Sequence, residues 1–399
     1  MNGKRLMRSG YLVLLASAVW TLGCGSDGAQ PAGSAGAGAA SAGTAGRSMA
    51  SNGGAAGMST SGGASSGGQN TAGGAATAGV GGTGAGGSEA GGAGGVSPSA
   101  GSSGSPMNTG GVSAVGTPKN PVLAGLYADP QIATFGGKFY IYPTTDGVAN
   151  WLGTQFHAFS SADLVTWKDE GVILDLGPDV SWADDRAWAP GIAFKDGTYY
   201  FYFCAAQAIG VATANSPTGP FKDALGHALI ANGQYGVQTI DPYVFTDDDG
   251  RSYLYFGSSS SGRVVELNAD MVSLKGTPQT LSVAGFREGS VAFKRNGKYY
   301  YMWSENDTRS EDYDVAYGIG DSAMGPFTKA AVNPILKKDT AQGILGTGHN
   351  SVLALANGDY YIAYHRFAIP NGDGTHREVC LDRLEFNADG TIAPVKTTR

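Results

Sequence analysis

A short pattern recurs five times in the C-terminal part of this chain, and a five-fold repeat restricts the architectures open to it more than any other feature. Each copy reads as a head residue, a short apolar stretch, a glycine-containing turn and an aromatic-rich stretch. The copies open at Asp129-Pro130-Gln131-Ile132, Ala189-Pro190-Gly191-Ile192, Asp241-Pro242-Tyr243-Val244, Glu288-Gly289-Ser290-Val291 and His349-Asn350-Ser351-Val352. Their turns are Gly136-Gly137, Asp196-Gly197, Asp249-Gly250, Asn296-Gly297 and Asn357-Gly358, dipeptides that accept positive φ and predict a two-residue hairpin in every copy. From head to aromatic the count is 11 for Asp129 to Tyr140, Ala189 to Tyr200, Glu288 to Tyr299 and His349 to Tyr360, and 12 for Asp241 to Tyr253. A second hairpin follows each first one, as in Val315-Ala316-Tyr317-Gly318 into Gly325-Pro326-Phe327. Head-to-head steps of 60, 52, 47 and 61 residues accommodate four antiparallel strands per copy with loops of unequal length. The expectation is an all-β, five-bladed β-propeller; an open solenoid would call for capping repeats, which the sequence does not show.

The repeat lies within a globular domain assigned to 118–399. Upstream, Lys4, Arg5 and Arg8 precede an apolar stretch from Tyr11 to Trp20 that ends in Thr21-Leu22-Gly23-Cys24. That stretch is shorter than the ~20 residues a spanning helix requires, so it reads as a secretory signal. Its Leu-Gly-Cys ending resembles a bacterial lipobox, which makes 1–23 a lipoprotein signal peptide and Cys24 the lipidated first residue of the mature protein. Residues 24–117 are almost entirely Gly, Ala, Ser and Thr and carry too little apolar surface to offset the entropy of ordering, so a disordered linker is expected. The chain is then secreted and touches a bacterial membrane through the lipid anchor only. A net charge of −7 and a pI near 5.2 provide no basic face, which disfavours nucleic acid and suits a neutral polymer. A monomer is expected. Besides Cys24 there are only Cys204 and Cys380, without a CxxC pair or an HExxH motif, so thiol and metal chemistry are weak readings. Whether Cys204 and Cys380 pair stays open.

In a propeller the first strand of each blade lines the axis, so the five heads converge. Three of them are Asp129, Asp241 and Glu288. Carboxylates crowded together raise the pKa of at least one of them, which lets it hold a proton near neutral pH. Cleaving a glycosidic bond calls for one protonated carboxyl to protonate the leaving oxygen and one ionised carboxylate to activate water. Blades one and four are not neighbours, which favours the ~6.5–9.5 Å spacing of an inverting pair over the ~5–5.5 Å of a retaining pair. His349 heads blade five and could hold a water or a cation. Trp151, Trp182, Trp188, Phe286 and Trp303 lie near heads or loops, where aromatic faces can stack on sugar rings, and Arg377 could reach a sugar hydroxyl or a carboxylate. Asp247, Asp248 and Asp249 read as a solvated hairpin tip, and Glu305 and Asp307 as rim residues.

These motifs together resemble glycoside hydrolase family 43, the arabinosidase and xylosidase family. The similarity runs from Asn120 to Val395 and rests on Tyr127-Ala128-Asp129-Pro130, Trp188-Ala189-Pro190, Ile240-Asp241-Pro242, Arg287-Glu288-Gly289 and Gly346-Thr347-Gly348-His349-Asn350. The resemblance implies that Asp129 is the general base, Glu288 the general acid and Asp241 the residue that orients the acid and raises its pKa. It also implies a substrate-binding role for Arg377 and a structural calcium at the propeller centre near His349, with no other cofactor required. Many members read Glu-Gly-Pro or Glu-Ala-Pro after the acid, whereas this chain has Glu288-Gly289-Ser290. The wording of the motifs is most similar to the arabinan and arabinofuranose branch, so an α-L-arabinofuranosidic linkage in a poly- or oligosaccharide is the expected substrate. A β-xylosidase or galactosidase of the same family is the alternative, and a non-catalytic glycan-binding propeller is the alternative of another class.

Overall fold

The computed structural model describes residues 115–399, so the signal peptide, the linker up to residue 114 and Cys24 lie outside the described residues. Blade one is the sheet β1 (Tyr127–Phe135), β2 (Lys138–Thr145), β3 (Gln155–Ser161) and β4 (Lys168–Asp175). Blade two is β5 (Trp188–Lys195), β6 (Thr198–Ala205), β7 (Ala208–Ala214) and β8 (Lys222–Asp223). Blade three is β9 (Tyr243–Thr246), β10 (Ser252–Phe256), β11 (Gly262–Leu267) and β12 (Leu274–Leu281). Blade four is β13 (Glu288–Arg295), β14 (Lys298–Glu305), β15 (Asp314–Gly320) and β16 (Thr328–Lys329). Blade five is β17 (Gly348–Ala354), β18 (Tyr360–Phe367) and β19 (Arg377–Arg383).

Every ladder is antiparallel, as short strands joined by tight turns require. Aromatic residues dominate the second strands because both faces of each blade are covered by a neighbour. Phe156 and Tyr142 of blade one pack on Phe201 and Phe203 of blade two, and Tyr243 and Tyr255 of blade three join the cluster of Trp303 and Tyr360. Ile132 and Phe139 of blade one share a cluster with Tyr361 and Leu381 of blade five, which closes the ring.

Two expectations about the blades need correction. The two-residue turn with positive φ at both positions forms in blades one, two and four, at Gly136-Gly137, Asp196-Gly197 and Asn296-Gly297. In blades three and five only Gly250 and Gly358 are left-handed, each ending a longer loop closed by Asp247 N–H to Arg251 O and by Leu355 N–H to Asp359 O. Blade five has three strands rather than four. Its outer edge is met instead by the start of the domain: the Val122 amide donates to Val379 O at 2.9 Å, and Asn120 Oδ1 accepts from the Leu381 amide at 2.8 Å. Covering that edge with the segment around Asn120 and Val122 pairs part of an otherwise open ladder of backbone groups.

The first strands of four blades carry the same bulge, at Ala128/Gln131, Trp188/Gly191, Glu288/Val291 and Gly348/Ser351. Its left-handed residue is Asp129, Ala189, Gly289 or His349, and Asp241 takes the same conformation in blade three. The head of blade four is therefore Gly289. Glu288 occupies the shoulder before it, the position of Ala128, Trp188 and Gly348. A left-handed conformation is costly for non-glycine residues, and in four blades it turns the head amide toward the preceding blade. Asp129 N–H reaches His365 Nδ1 (3.2 Å), Ala189 N–H reaches Thr144 Oγ1 (2.7 Å), Gly289 N–H reaches Asp241 Oδ2 (3.0 Å) and His349 N–H reaches Ser304 Oγ (2.8 Å).

Candidate active site

Heads and shoulders open together into a cavity of about 250 Å³ at one end of the axis. Asp129, Asp241 and His349 come from the heads, Trp188 and Glu288 from shoulders, and Trp151, Gln238, Ile240, Arg287, Asp307, Thr308, Arg309 and Arg377 complete the wall. All three carboxylates expected at the site are brought together, although one of them arrives from a different position of the repeat.

Asp129 is buried beside a guanidinium, two imidazoles and a hydroxyl. Thr144 Oγ1 donates to Oδ2 at 2.7 Å, while Arg377 Nη1 (3.2 Å), His365 Nδ1 (3.1 Å) and His349 Nδ1 (3.3 Å) surround Oδ1. Burial pushes its pKa up, but the charge of Arg377, with His349 adding to it, outweighs burial and holds the carboxyl well below the usual range. Arg377 is itself buried, gripping Asp146 with Nε and Nη2 at 3.0 Å each. His365 is fully buried, and burial together with Arg377 lowers its pKa to about 4, so the ring is neutral.

Asp241 and Glu288 behave in the opposite sense. Burial raises Asp241 to about 7; the charges of Glu288 and Asp129 push the same way, against His349 and the Gly289 amide. Burial also raises Glu288, opposed by His349, Arg287 and the Tyr313 hydroxyl, which donates to Oε1 at 3.0 Å. Ser258 Oγ donates to Oε2 at 3.2 Å. Together the two carboxyls hold a proton at a pH where an ordinary pair would hold none. The floor thus sets one carboxyl whose surroundings favour the ionised form against two whose burial favours the protonated form.

The remaining expectations divide. Arg377 lies in the cavity, as a clamp on Asp129 and Asp146 rather than at the surface. Trp188 lines the wall, its Nε1 bonded to Trp151 O at 2.7 Å, and Trp151 lines it too. Phe286 and Trp303 are not at the cavity. Both are buried in the core of blades three to five, where Phe286 packs on Gly262 and Trp303 on Tyr301. Asp247 is not solvated: it is buried under Lys294 (2.7 Å) and the Tyr299 hydroxyl. Asp307 is a rim residue of the cavity, whereas Glu305 is tied to Lys329 away from it. Cys204 and Cys380 are both free, buried thiols.

His349 gives little support to a calcium held by protein ligands, which would need about 6–8 oxygens. The space it shares with Asn350 beneath the heads is about 10 Å³, the size for roughly one water-sized sphere. Asn350 Oδ1 is buried there without a hydrogen-bond partner, but among the described residues no three His, Cys, Asp or Glu side chains converge as a metal site. These donors do not fit a calcium ion bound mainly by side chains.

Thr144, Asp146, Ser258, Tyr313 and His365 were not singled out from sequence. For two of them a signal existed. Thr144 and Ser304 each follow their head by 15 residues, and His365 follows His349 by 16, so the repeat that marks the heads marks their partners as well. Tyr313 and Asp146 lie in loops outside the repeat and carry no such mark.

Comparison with known proteins agrees with this geometry. The sequence model described as "Glycosyl hydrolases family 43" matches residues 118–392. The chain is similar to a β-D-galactofuranosidase of Aspergillus niger, 41% identical over 293 residues that cover 70% of this chain and 85% of that protein. It is 32% identical to an arabinoxylan arabinofuranohydrolase of Paenibacillus polymyxa over 68% of this chain, a match that spans half of that relative's length. Among solved structures, a thermostable family-43 glycoside hydrolase superposes with a TM-score of 0.63 at 30% identity, covering 71% of this chain and 96% of that one.

Proposed function

Because this chain belongs to family 43 of the glycosyl hydrolases, we propose that its cavity releases a terminal furanosyl residue from a poly- or oligosaccharide by a single inverting displacement. The observation that carries this reading is the meeting of Asp129, Asp241 and Glu288 in one cavity, with Asp129 against the Arg377 guanidinium and Asp241 accepting from the amide next to Glu288. Asp129 takes a proton from water as that water bonds to the anomeric carbon. The carbon–oxygen bond to the leaving group breaks, and Glu288 delivers its proton to the departing oxygen. Asp241 shares and thereby raises the proton affinity of Glu288, and Arg377 keeps Asp129 ionised. A walled cavity of about 250 Å³ suits one terminal sugar better than the interior of a polymer.

The sugar proposed is α-L-arabinofuranose. A second reading, β-D-galactofuranose, is favoured by the 41% identity to the Aspergillus niger galactofuranosidase. The two sugars share the configuration of the furanose ring and differ in the exocyclic chain, so the same carboxylates serve either. The lipobox-like Leu22-Gly23-Cys24 supports action outside the cytoplasm from a lipid anchor. The deciding experiment is NMR product analysis with 4-nitrophenyl α-L-arabinofuranoside and β-D-galactofuranoside side by side. Initial release of one sugar with inverted anomeric configuration is expected; retention overturns the roles of Asp129 and Glu288.

A further inference from the structure

The acid Glu288 protonates the leaving oxygen, so groups flanking it on the rim meet the part of the substrate that departs. Two guanidinium groups flank it. Arg287 precedes Glu288 in the chain and places Nε 3.7 Å from Glu288 Oε2; that Nε is buried and has no hydrogen-bond partner among the described residues. Its Nη2 lies 3.2 Å from Asp307 Oδ2. Arg309 grips the same carboxylate with Nε (2.7 Å) and Nη2 (2.8 Å), and its side chain is 66% exposed. Arg287, Asp307 and Arg309 all line the cavity.

Two guanidinium groups here share the Asp307 carboxylate, and beyond it only the acid Glu288 lies near Arg287, so while Glu288 holds its proton a positive charge and unused N–H donors stand beside it, in a chain whose net charge is −7. The arrangement is also rigid. Ser310 N–H bonds Asp307 O (2.7 Å), Asn306 Nδ2 bonds Asp312 O (2.6 Å), and a Cβ on Gly374 would lie 2.7 Å from Arg309 Cα, so the loop is pressed against blade five. A planar guanidinium is suited to a carboxylate, which it meets with parallel, charge-assisted hydrogen bonds.

We propose that Arg287 and Arg309 form a leaving-group subsite for a carboxylate-bearing sugar, so that the preferred substrate carries its terminal furanose on or next to a uronic acid. This rests on the hydrolase reading for its orientation, and a binding measurement keeps the two separable. The kinetic test compares two furanosides whose nitrophenyl leaving groups differ only in a meta carboxylate or its methyl ester, for the full chain and its Arg309→Gln variant. The ratio of kcat/KM, carboxylate over ester, should be about 10-fold higher in the parent, about 1.4 kcal/mol, and should shrink in 0.5 M salt. An equal ratio in both proteins overturns the subsite. The binding test titrates the full chain with methyl β-D-glucuronoside and methyl β-D-glucoside in a calorimeter. Tighter binding of the glucuronoside that is lost in Arg309→Gln and in Arg287→Gln supports the subsite even if neither furanoside is turned over, an outcome that would sink the hydrolase reading alone. Equal affinity for the two glycosides overturns it.

Discussion

Asp129 and Asp241 line one cavity floor and are buried to nearly the same degree, 7% and 6% exposed, yet their surroundings push their pKa values in opposite directions. Burial alone raises both. The difference lies in what each oxygen meets. Around Asp129 stand a guanidinium, two imidazoles and a hydroxyl; around Asp241 stand the Gly289 amide and His349, with Glu288 adding a like charge. Depth therefore sets how strongly partners act, and the partners set the sign. On the proposed mechanism, one side of the ring serves as the base and the other as a reservoir for a proton.

Removing each half tests that division most severely. Asp129→Ala and Glu288→Ala are each expected to lower kcat by about 10²- to 10⁴-fold on a natural oligosaccharide. They should part company on a 4-nitrophenyl furanoside, whose leaving group needs little protonation. There Glu288→Ala should recover much of the loss and Asp129→Ala should not. Recovery in both variants, or in neither, would erase the distinction between the two sides.

The cage around Asp129 can be opened without touching the carboxylate. Arg377→Met leaves Asp129 and Asp146 buried without their cation, and breaking such a pair costs roughly 3–5 kcal/mol. Urea denaturation reads that loss directly. In the folded variant Asp129 becomes more like Asp241, so the acidic limb of kcat/KM should move to higher pH. An unmoved limb would mean that His349, His365 and Thr144 suffice to keep the base ionised.

Much of this comparison was legible in the sequence, and the slip that occurred has a physical origin. Five blades, their hairpins and three carboxylates could be read because strand pairing imposes a fixed period on heads, turns and aromatics. Counting from head to aromatic puts blade four one residue out of register, because Tyr299-Tyr300-Tyr301 offers three aromatics to count to. Among the three blades with the two-residue turn the count settles it: seven residues separate Asp129 from Gly136, Ala189 from Asp196 and Gly289 from Asn296, whereas Asp241 and His349 lie eight from Asp249 and Asn357 because their loops are longer. Period-two geometry makes that slip consequential, since it puts Glu288 on the shoulder with Trp188 and not among the heads. Phe286 and Trp303 depart from the sequence expectation for a different reason. Proximity to a head in sequence says nothing about which face of a blade an aromatic takes, and here both turn into the core between blades. Asp146 and Tyr313 come from loops, whose side chains follow no period.

The smallest effect concerns the proton reservoir and has two signs to get right. Asp241 has a folded pKa of about 7 against an ordinary value of 3.8, so the folded state binds this proton more tightly than the unfolded chain does. The stability tied to it is fully present below pH 3.8 and is lost as pH rises through about 7. Asp241→Asn imitates the protonated form. It should therefore raise stability at pH 8, by roughly 1–2 kcal/mol after loss of the charge-assisted bond from the Gly289 amide, and change little at pH 4. Activity should move the other way. Without the neighbouring negative charge Glu288 gives up its proton at lower pH, so the basic limb of the rate profile shifts down while the acidic limb, set by Asp129, stays. A variant more stable at pH 8 with an unshifted basic limb would make Asp241 a buried carboxyl with no hold on the acid, and the pairing of Asp241 with Glu288 would fall while the base side stood.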